Sequence, residues 1–362
     1  MFRPGVFFFL FISTQIIGAI SALTWKTFDI SSLIVEESKK VSYRDINGNT
    51  KGLETILKEN GANNIKIRLW VNPADGIYNL AYGVKVGLRA KAAGLSVSLN
   101  LHYSDTWADP GHQAAPAAWA SMNIDQLATT VKSYTTTAVN AFVDQGIDVN
   151  LVSVGNEIRA GFLWPLGKTN FSNIGRLLTA GIAGVRASKK STAAVMVHLD
   201  EGYSWDSQKW FYDSLVAAGS FTMSSFDVQG ISYYPYWSTS STLENFKTSV
   251  TNMANTYKKK IVVMETDWPV KCTSTSNIPS SLRSIPFSAA GQVTWMKSVA
   301  TIVNSIPNGL GAGIMYWEPG WIDNASLGSS CEDSTLFDGD WSGYPTTVIA
   351  RARTSINMFN QI

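Results

Sequence analysis

The chain has 362 residues, with 29 basic against 27 acidic side chains and 45 % hydrophobic residues. So near a charge balance gives no reason to expect nucleic acid or an acidic membrane as partner, and a neutral substrate fits better. Its three histidines, His102, His112 and His198, stand at unlinked positions, and no G-x-S-x-G elbow occurs, so the usual signals of a zinc hydrolase and of a serine esterase are both missing.

The first 21 residues carry Arg3, an apolar core from Val6 to Ile12, and the small residues Ala19 and Ser21 before Ala22. This is the layout of a cleavable signal peptide, and the apolar core is too short to span a bilayer. A secreted, extracellular protein is expected, with residues 1–21 removed and residues 22–362 forming one domain. No Pro/Ser/Thr-rich linker divides that stretch.

Eight apolar runs that stop on polar residues follow one another. They are LTWKTFDI ending near Asp29, NIKIRLW near Arg68, LSVSLNLHYSD near His102 and Asp105, VNLVSVGNE at Asn156 and Glu157, AAVMVHLDE near Asp200 and Glu201, FDVQGISYY near Tyr233, KKIVVMETDW at Glu265, and GAGIMYWE near Trp317 and Glu318. Runs of this kind read as strands buried on both faces. They start roughly every 40 residues. Amphipathic stretches lie between them: Leu53 to Asn60, Leu80 to Ala93, Ile124 to Gln145, Ile174 to Ser188, Ser207 to Ala218, Leu243 to Tyr257 and Ser288 to Val303. A last helix is expected from Thr346 to Phe359. Regular alternation of this kind predicts an α/β fold, a single-domain (β/α)8 TIM barrel.

A closed barrel brings all strand C-termini to one rim, where active sites of this fold are built. Glu157 then closes the fourth strand and Glu265 the seventh. Two carboxylates on one rim are the minimal equipment for splitting a glycosidic bond, one protonating the leaving oxygen and one attacking. A glycosidase is the first expectation, and a separation of about 5 to 5.5 Å with retained configuration would go with it.

The strings FDISSLIVEES, IKIRLWVNP, LHYSDTWADPG with PAAW, VGNEI, GISYYPYW, METDWP and YWEPGWI span Asp29 to Trp321. Through them the chain resembles the endo-β-1,4-galactanases of glycoside hydrolase family 53, within the clan of retaining barrel glycosidases. The resemblance implies that Glu157, preceded by Asn156, is the acid/base and Glu265 the nucleophile. It implies internal β-1,4 bonds of galactan, the pectin side chains called arabinogalactan type I, as the polysaccharide substrate. Family members often carry Ala where this chain has Gly320. The competing readings are another retaining glycanase (mannanase, cellulase or β-galactosidase) and a non-catalytic carbohydrate-binding barrel.

Further site residues follow from residue chemistry. Arg68 is expected to hold Glu265 ionised, and Tyr233 or Tyr234 to orient it. Asn156 suits the sugar 2-hydroxyl, and His102 suits a hydroxyl or a nucleophile oxygen. Trp317, at the barrel mouth, is expected to floor the cleavage subsite, and Trp70, Trp107, Trp164, Trp205, Trp237, Trp268 and Trp321 stand at or beyond strand ends, where some can stack on sugars and several are expected to be core packing. Long loops, Trp268 to Phe287 and Pro319 to Pro345, are expected to form one cleft wall. Each holds one of the two cysteines, Cys272 and Cys331, which in an oxidising compartment are expected to pair. Bacterial relatives tie these loops with calcium, for which Asp323, Glu332, Asp333, Asp338 and Asp340 would be the donors here. With a disulfide in that place, no structural metal and no cofactor are expected. Asn170 and Asn324 begin glycosylation sequons, and a monomer is expected.

Overall fold

The computed structural model describes residues 23–324 and 329–362, so the expected signal peptide lies outside the described residues. Eight strands close into a parallel barrel: β1 (Trp25–Asp29), β2 (Asn64–Leu69), β3 (Ser96–Leu101), β4 (Val149–Val154), β5 (Ala194–Leu199), β6 (Val228–Ser232), β7 (Lys260–Thr266) and β8 (Gly311–Tyr316). Each pairs with its neighbour in parallel, and β1 closes on β8. All eight expected runs are strands.

The helices are α1 (Leu33–Ser38), α2 (Leu53–Glu59), α3 (Leu80–Ala92), α4 (Ile124–Val143), α5 (Phe171–Arg186), α6 (Trp205–Ala217), α7 (Leu243–Tyr257) and α8 (Ala289–Asn304). Only the six-residue α1 was not anticipated, being shorter than the period needed to show a face. From α3 onward each long helix starts on a side-chain cap, Asn79, Asn123, Asn170, Ser204, Thr242 and Ser288, whose oxygen accepts an otherwise unpaired N–H of the first turn. Asn123 and Gln126 complete a reciprocal capping box.

Two apolar layers result from the strand alternation. In β2, Ile65, Ile67 and Leu69 face the helices, whereas Asn64, Lys66 and Arg68 turn into the barrel. Inside, Trp25, Leu151, Met196, Val228, Val262, Met264, Ala312 and Met315 pack together as a separate cluster. The barrel is thus a filled core with polar groups above it.

The expected helix from Thr346 to Phe359 is a correction. Val348–Ala352 is the central strand of a small sheet, parallel to Val41–Arg44 and antiparallel to Phe337–Asp340, and a 3-10 segment, Thr354–Asn360, follows it. Val348, Ala350 and Ala352 are buried and Arg351 is exposed, a period of two. Two waiting edges decided the strand over the helix-favouring Ala and Arg.

Cys272 and Cys331 are joined, with Cα atoms 4.0 Å apart, and backbone bonds Thr273 N to Ser330 O and Val270 N to Asp333 O run beside them. Arg353 holds Asp333 with both terminal nitrogens at 2.8 and 3.0 Å and Asp338 with Nε at 2.8 Å, and Lys39 pairs with Asp323. These acidic side chains therefore serve cations of the chain. Among the described residues no group of three or more His, Cys, Asp or Glu is placed to hold a metal ion, and no helix is long and apolar enough to cross a membrane.

The disulfide closes a loop of 59 residues, for which the chain-entropy model predicts about 4 kcal/mol of stabilisation. Replacing both cysteines by serine is expected to lower the denaturant midpoint accordingly. EDTA is expected to leave the melting temperature unchanged, and a fall would reveal a structural metal.

Candidate active site

A cleft of about 660 Å³ opens at the C-terminal rim and is lined by Glu157, Glu265, Asn156, His102, Tyr234 and Trp317, among others. Glu265 reaches it through an irregularity in β7. The register runs Ile231 to Val263 and then Ser232 to Glu265, so Met264 is an extra residue opposite β6. Met264 and Glu265 both face inward as a result, and Thr266 turns out to meet Trp295. A bulge here re-aims the carboxylate.

Glu265 Oε1 lies 2.6 Å from Lys66 Nζ, and Tyr234 Oη donates to Oε2 at 3.1 Å. Lys66 also meets Asp29 at 3.2 Å. It is 1 % exposed. Burial disfavours the ammonium, but Glu265 and Asp29 outweigh it and hold the lysine above its ordinary pKa. Sequence reasoning passed over Lys66. Its signal was there, since Lys66 lies two residues before Arg68 in a strand and must share its face.

Arg68 corrects the expectation made for it. Its Nη1 pairs with Glu318 at 2.6 Å, its Nη2 donates to Ser32 at 2.8 Å, and its guanidinium lies over Tyr78 and Trp107 at 4.2 and 4.6 Å. One turn of pleat farther up the strand, it meets the rim of β8 and β1 instead of Glu265. Tyr233 and Tyr234 separate by alternation: Tyr233 stacks on Phe246 and donates to Ser241 O at 3.0 Å in the helical layer, so Tyr234 is the partner of Glu265.

Glu157 ends β4 in the left-handed region, φ 49°, two residues after Gly155 at φ 92°. Tyr103, Glu201 and Glu318 adopt the same conformation beyond β3, β5 and β8. Such residues cost on the order of 1 kcal/mol each and persist where surroundings dictate them. Burial, then the charge of Glu265, then Asp200, push the Glu157 carboxyl well above the ordinary range.

Asn156 is buried and fully oriented: its Nδ2 donates to Ala108 O at 2.8 Å, while its Oδ1 accepts from Asn100 at 2.7 Å and meets His198 Nδ1 at 2.9 Å. The second Nδ2 hydrogen remains for the cleft. His102 Nδ1 accepts from Ala108 N at 3.3 Å, and burial, Arg68 and Lys66 hold the ring well below its ordinary pKa. Its proton therefore sits on Nε2.

Of the tryptophans, Trp107, Trp237 and Trp317 line the cleft, and Trp321 stacks behind Trp107 at 6.2 Å. Trp268 is fully buried between Phe287 and Trp295, and Trp70 is packed under Tyr78, so neither is a platform. Side walls come from Trp107–Pro110 beyond β3 and Tyr236–Ser238 beyond β6, instead of the long loops after β7 and β8. The disulfide and Arg353 draw those loops onto the small sheet. Asn170 is an exposed helix cap, and the sequon of Asn324 runs into residues outside those described.

A filled parallel barrel with two carboxylates on its rim belongs to the (β/α)8 glycoside hydrolases as a class. Residues 25–348 match the model of glycosyl hydrolase family 53, and the chain belongs to that family. It is 49 % identical over 321 residues to a probable arabinogalactan endo-β-1,4-galactanase A of Aspergillus tubingensis, covering 88 % of this chain and 91 % of that one. The arabinogalactan endo-β-1,4-galactanase of Humicola insolens is 47 % identical, over 94 % of this chain and all of its own length. A solved fungal β-1,4-galactanase superposes with a TM-score of 0.88 at 47 % identity, covering 94 % of this chain and all of that one.

Asp267, two residues past Glu265, is fully buried and accepts the Tyr236 hydroxyl at 2.7 Å. Burial pushes its carboxyl up to about 7, against hydrogen bonds from Tyr236 and Ser334. Between about pH 4 and 7 the folded protein keeps a proton that the unfolded chain releases, so this stabilisation is full below that window and lost as pH rises through it. Asp267→Asn is expected to flatten that decline, as measured by denaturant midpoints across the window.

Proposed function

We propose that the protein is a secreted arabinogalactan endo-β-1,4-galactanase that cleaves internal bonds of galactan with retention of configuration. The observation that carries this is the Glu157 and Glu265 pair on one cleft, in a chain matched along nearly its whole length by galactanases. Glu157, kept neutral by burial and by Glu265, supplies the proton to the departing sugar oxygen. Glu265, held by Lys66 and oriented by Tyr234, attacks the anomeric carbon to form a glycosyl-enzyme ester. Glu157, now a carboxylate, takes a proton from water as that water displaces Glu265 and restores the acid.

The free Nδ2 hydrogen of Asn156 suits the 2-hydroxyl of the reacting sugar, a contact that strengthens in the transition state. His102 Nε2–H offers a second donor, and Trp317 a flat face beneath the ring. The axial 4-hydroxyl of galactose bends the polymer away from the course of cellulose or mannan, and a misplacement of about 1 Å costs on the order of 10²-fold in rate.

Purified protein is expected to release reducing ends from unbranched galactan far faster than from mannan, carboxymethylcellulose or xylan. Equal rates on mannan would discard the substrate assignment and leave the barrel and its glutamates standing. Glu157→Gln and Glu265→Gln are each expected to fold and to lose about 10² to 10⁴ in rate. The first product seen by NMR should be the β-anomer. Secreted protein should begin near residue 22, lose mass from Asn170 and Asn324 on deglycosylation, and scatter light as a monomer.

A further inference from the structure

The hydrogen bonds behind Glu157 have a single consistent direction. Ala108 O accepts, so the Asn156 atom facing it is Nδ2, and Oδ1 is the atom that faces both Asn100 Nδ2 and His198 Nδ1. An oxygen acceptor at 2.9 Å requires the proton on His198 Nδ1. His198 is fully buried, and burial, Lys66 and His102 hold it well below its ordinary pKa, so the ring is neutral and Nε2 is bare. Ser232 Oγ lies 2.9 Å from Nε2 and must be the donor of that bond. Ser232 has one hydroxyl proton, and it lines the same cleft as Glu157, whose carboxyl pKa a bond from that hydroxyl would lower.

We propose that His198 and Ser232 are positioning residues for the acid step: His198 Nε2 accepts the hydrogen bond of the Ser232 hydroxyl and so denies Glu157 a donor that would favour its carboxylate. An imidazole nitrogen is the stronger acceptor as long as the carboxyl is neutral, and leaving it bare in the barrel would strand a buried polar atom. The titratable groups facing Glu157 are Glu265 on β7, Asp200 beyond β5, Lys66 on β2 and Tyr234 beyond β6; those facing His198 are Lys66 and His102. Glu265 and Asp200 favour neutral Glu157 and Lys66 opposes them. Withholding the Ser232 proton keeps that balance on the neutral side. The inference rests on Glu157 being the acid.

The basic limb of the kcat/KM profile on linear galactan reports loss of the acid's proton. His198→Leu frees the Ser232 hydroxyl to turn to Glu157, and the limb should move to lower pH by about half a unit or more. His198→Gln, whose amide again offers a donor to Asn156 and an acceptor to Ser232, should restore the limb. Ser232→Ala should leave it in place. A limb that rises in Ser232→Ala means the hydroxyl already served Glu157 and overturns the proposal, as does an unmoved limb in His198→Leu. If His198→Leu does not fold, the Ser232→Ala profile alone decides. A merely structural His198 would lower kcat without moving the limb. Azide rescue of Glu157→Ala on an aryl β-galactobioside tests the acid assignment separately: without β-galactobiosyl azide that assignment fails, whereas rescue with the wrong limb shifts removes only the role of His198 and Ser232.

Discussion

The site depends on one buried cation. Lys66 is sealed in the barrel between Asp29 and Glu265, and an ammonium taken out of water at this depth costs several kcal/mol unless carboxylates stand beside it. That need sets Glu265 Oε1 2.6 Å from its Nζ. The charge of Glu265, added to burial, in turn makes a second charge on Glu157 unfavourable, so two chemically identical side chains are set apart by their surroundings.

Backbone geometry carries this electrostatic division onto the rim. An extra residue in β7 brings Met264 and Glu265 to the same side of the strand, one packed in the inner core and the other open to the cleft. Glu157 turns in by a left-handed step after Gly155. Strain of this kind is maintained because both flanks are held: Asn156 by Ala108, Asn100 and His198, and Glu265 by Lys66 and Tyr234. The two glutamates are thus aimed by packing that lies below them.

A second set of bonds ties the outer loops to this centre. Arg68 joins β2 to Glu318 beyond β8 and carries Tyr78 and Trp107 on its faces, so the aromatic wall and the ion pair share one side chain. Farther out, Arg353 and the Cys272–Cys331 bond draw the loops after β7 and β8 against the small sheet. The cleft is left to be walled by the loops after β3 and β6, through Trp107–Pro110 and Tyr236–Ser238.

By itself the sequence determined the barrel and the two glutamates, because parallel strands buried on both faces leave unmistakable apolar runs and a carboxylate at the end of such a run has only the rim to occupy. It also determined the disulfide partners, there being only two cysteines. What it left undecided depends on contacts between distant strands. Period-two alternation shows that Tyr233 and Tyr234 face opposite ways without showing which faces in. Lys66 and Arg68 share one face of β2, and only the stagger of the closed barrel decided that the lower residue meets Glu265 and the upper one Glu318. Thr346 to Phe359 has helical composition, yet two strand edges some 300 residues and 10 residues away in sequence recruited its first half into a sheet. Local pattern settles which residues are buried; only the assembled barrel settles what each buried group touches.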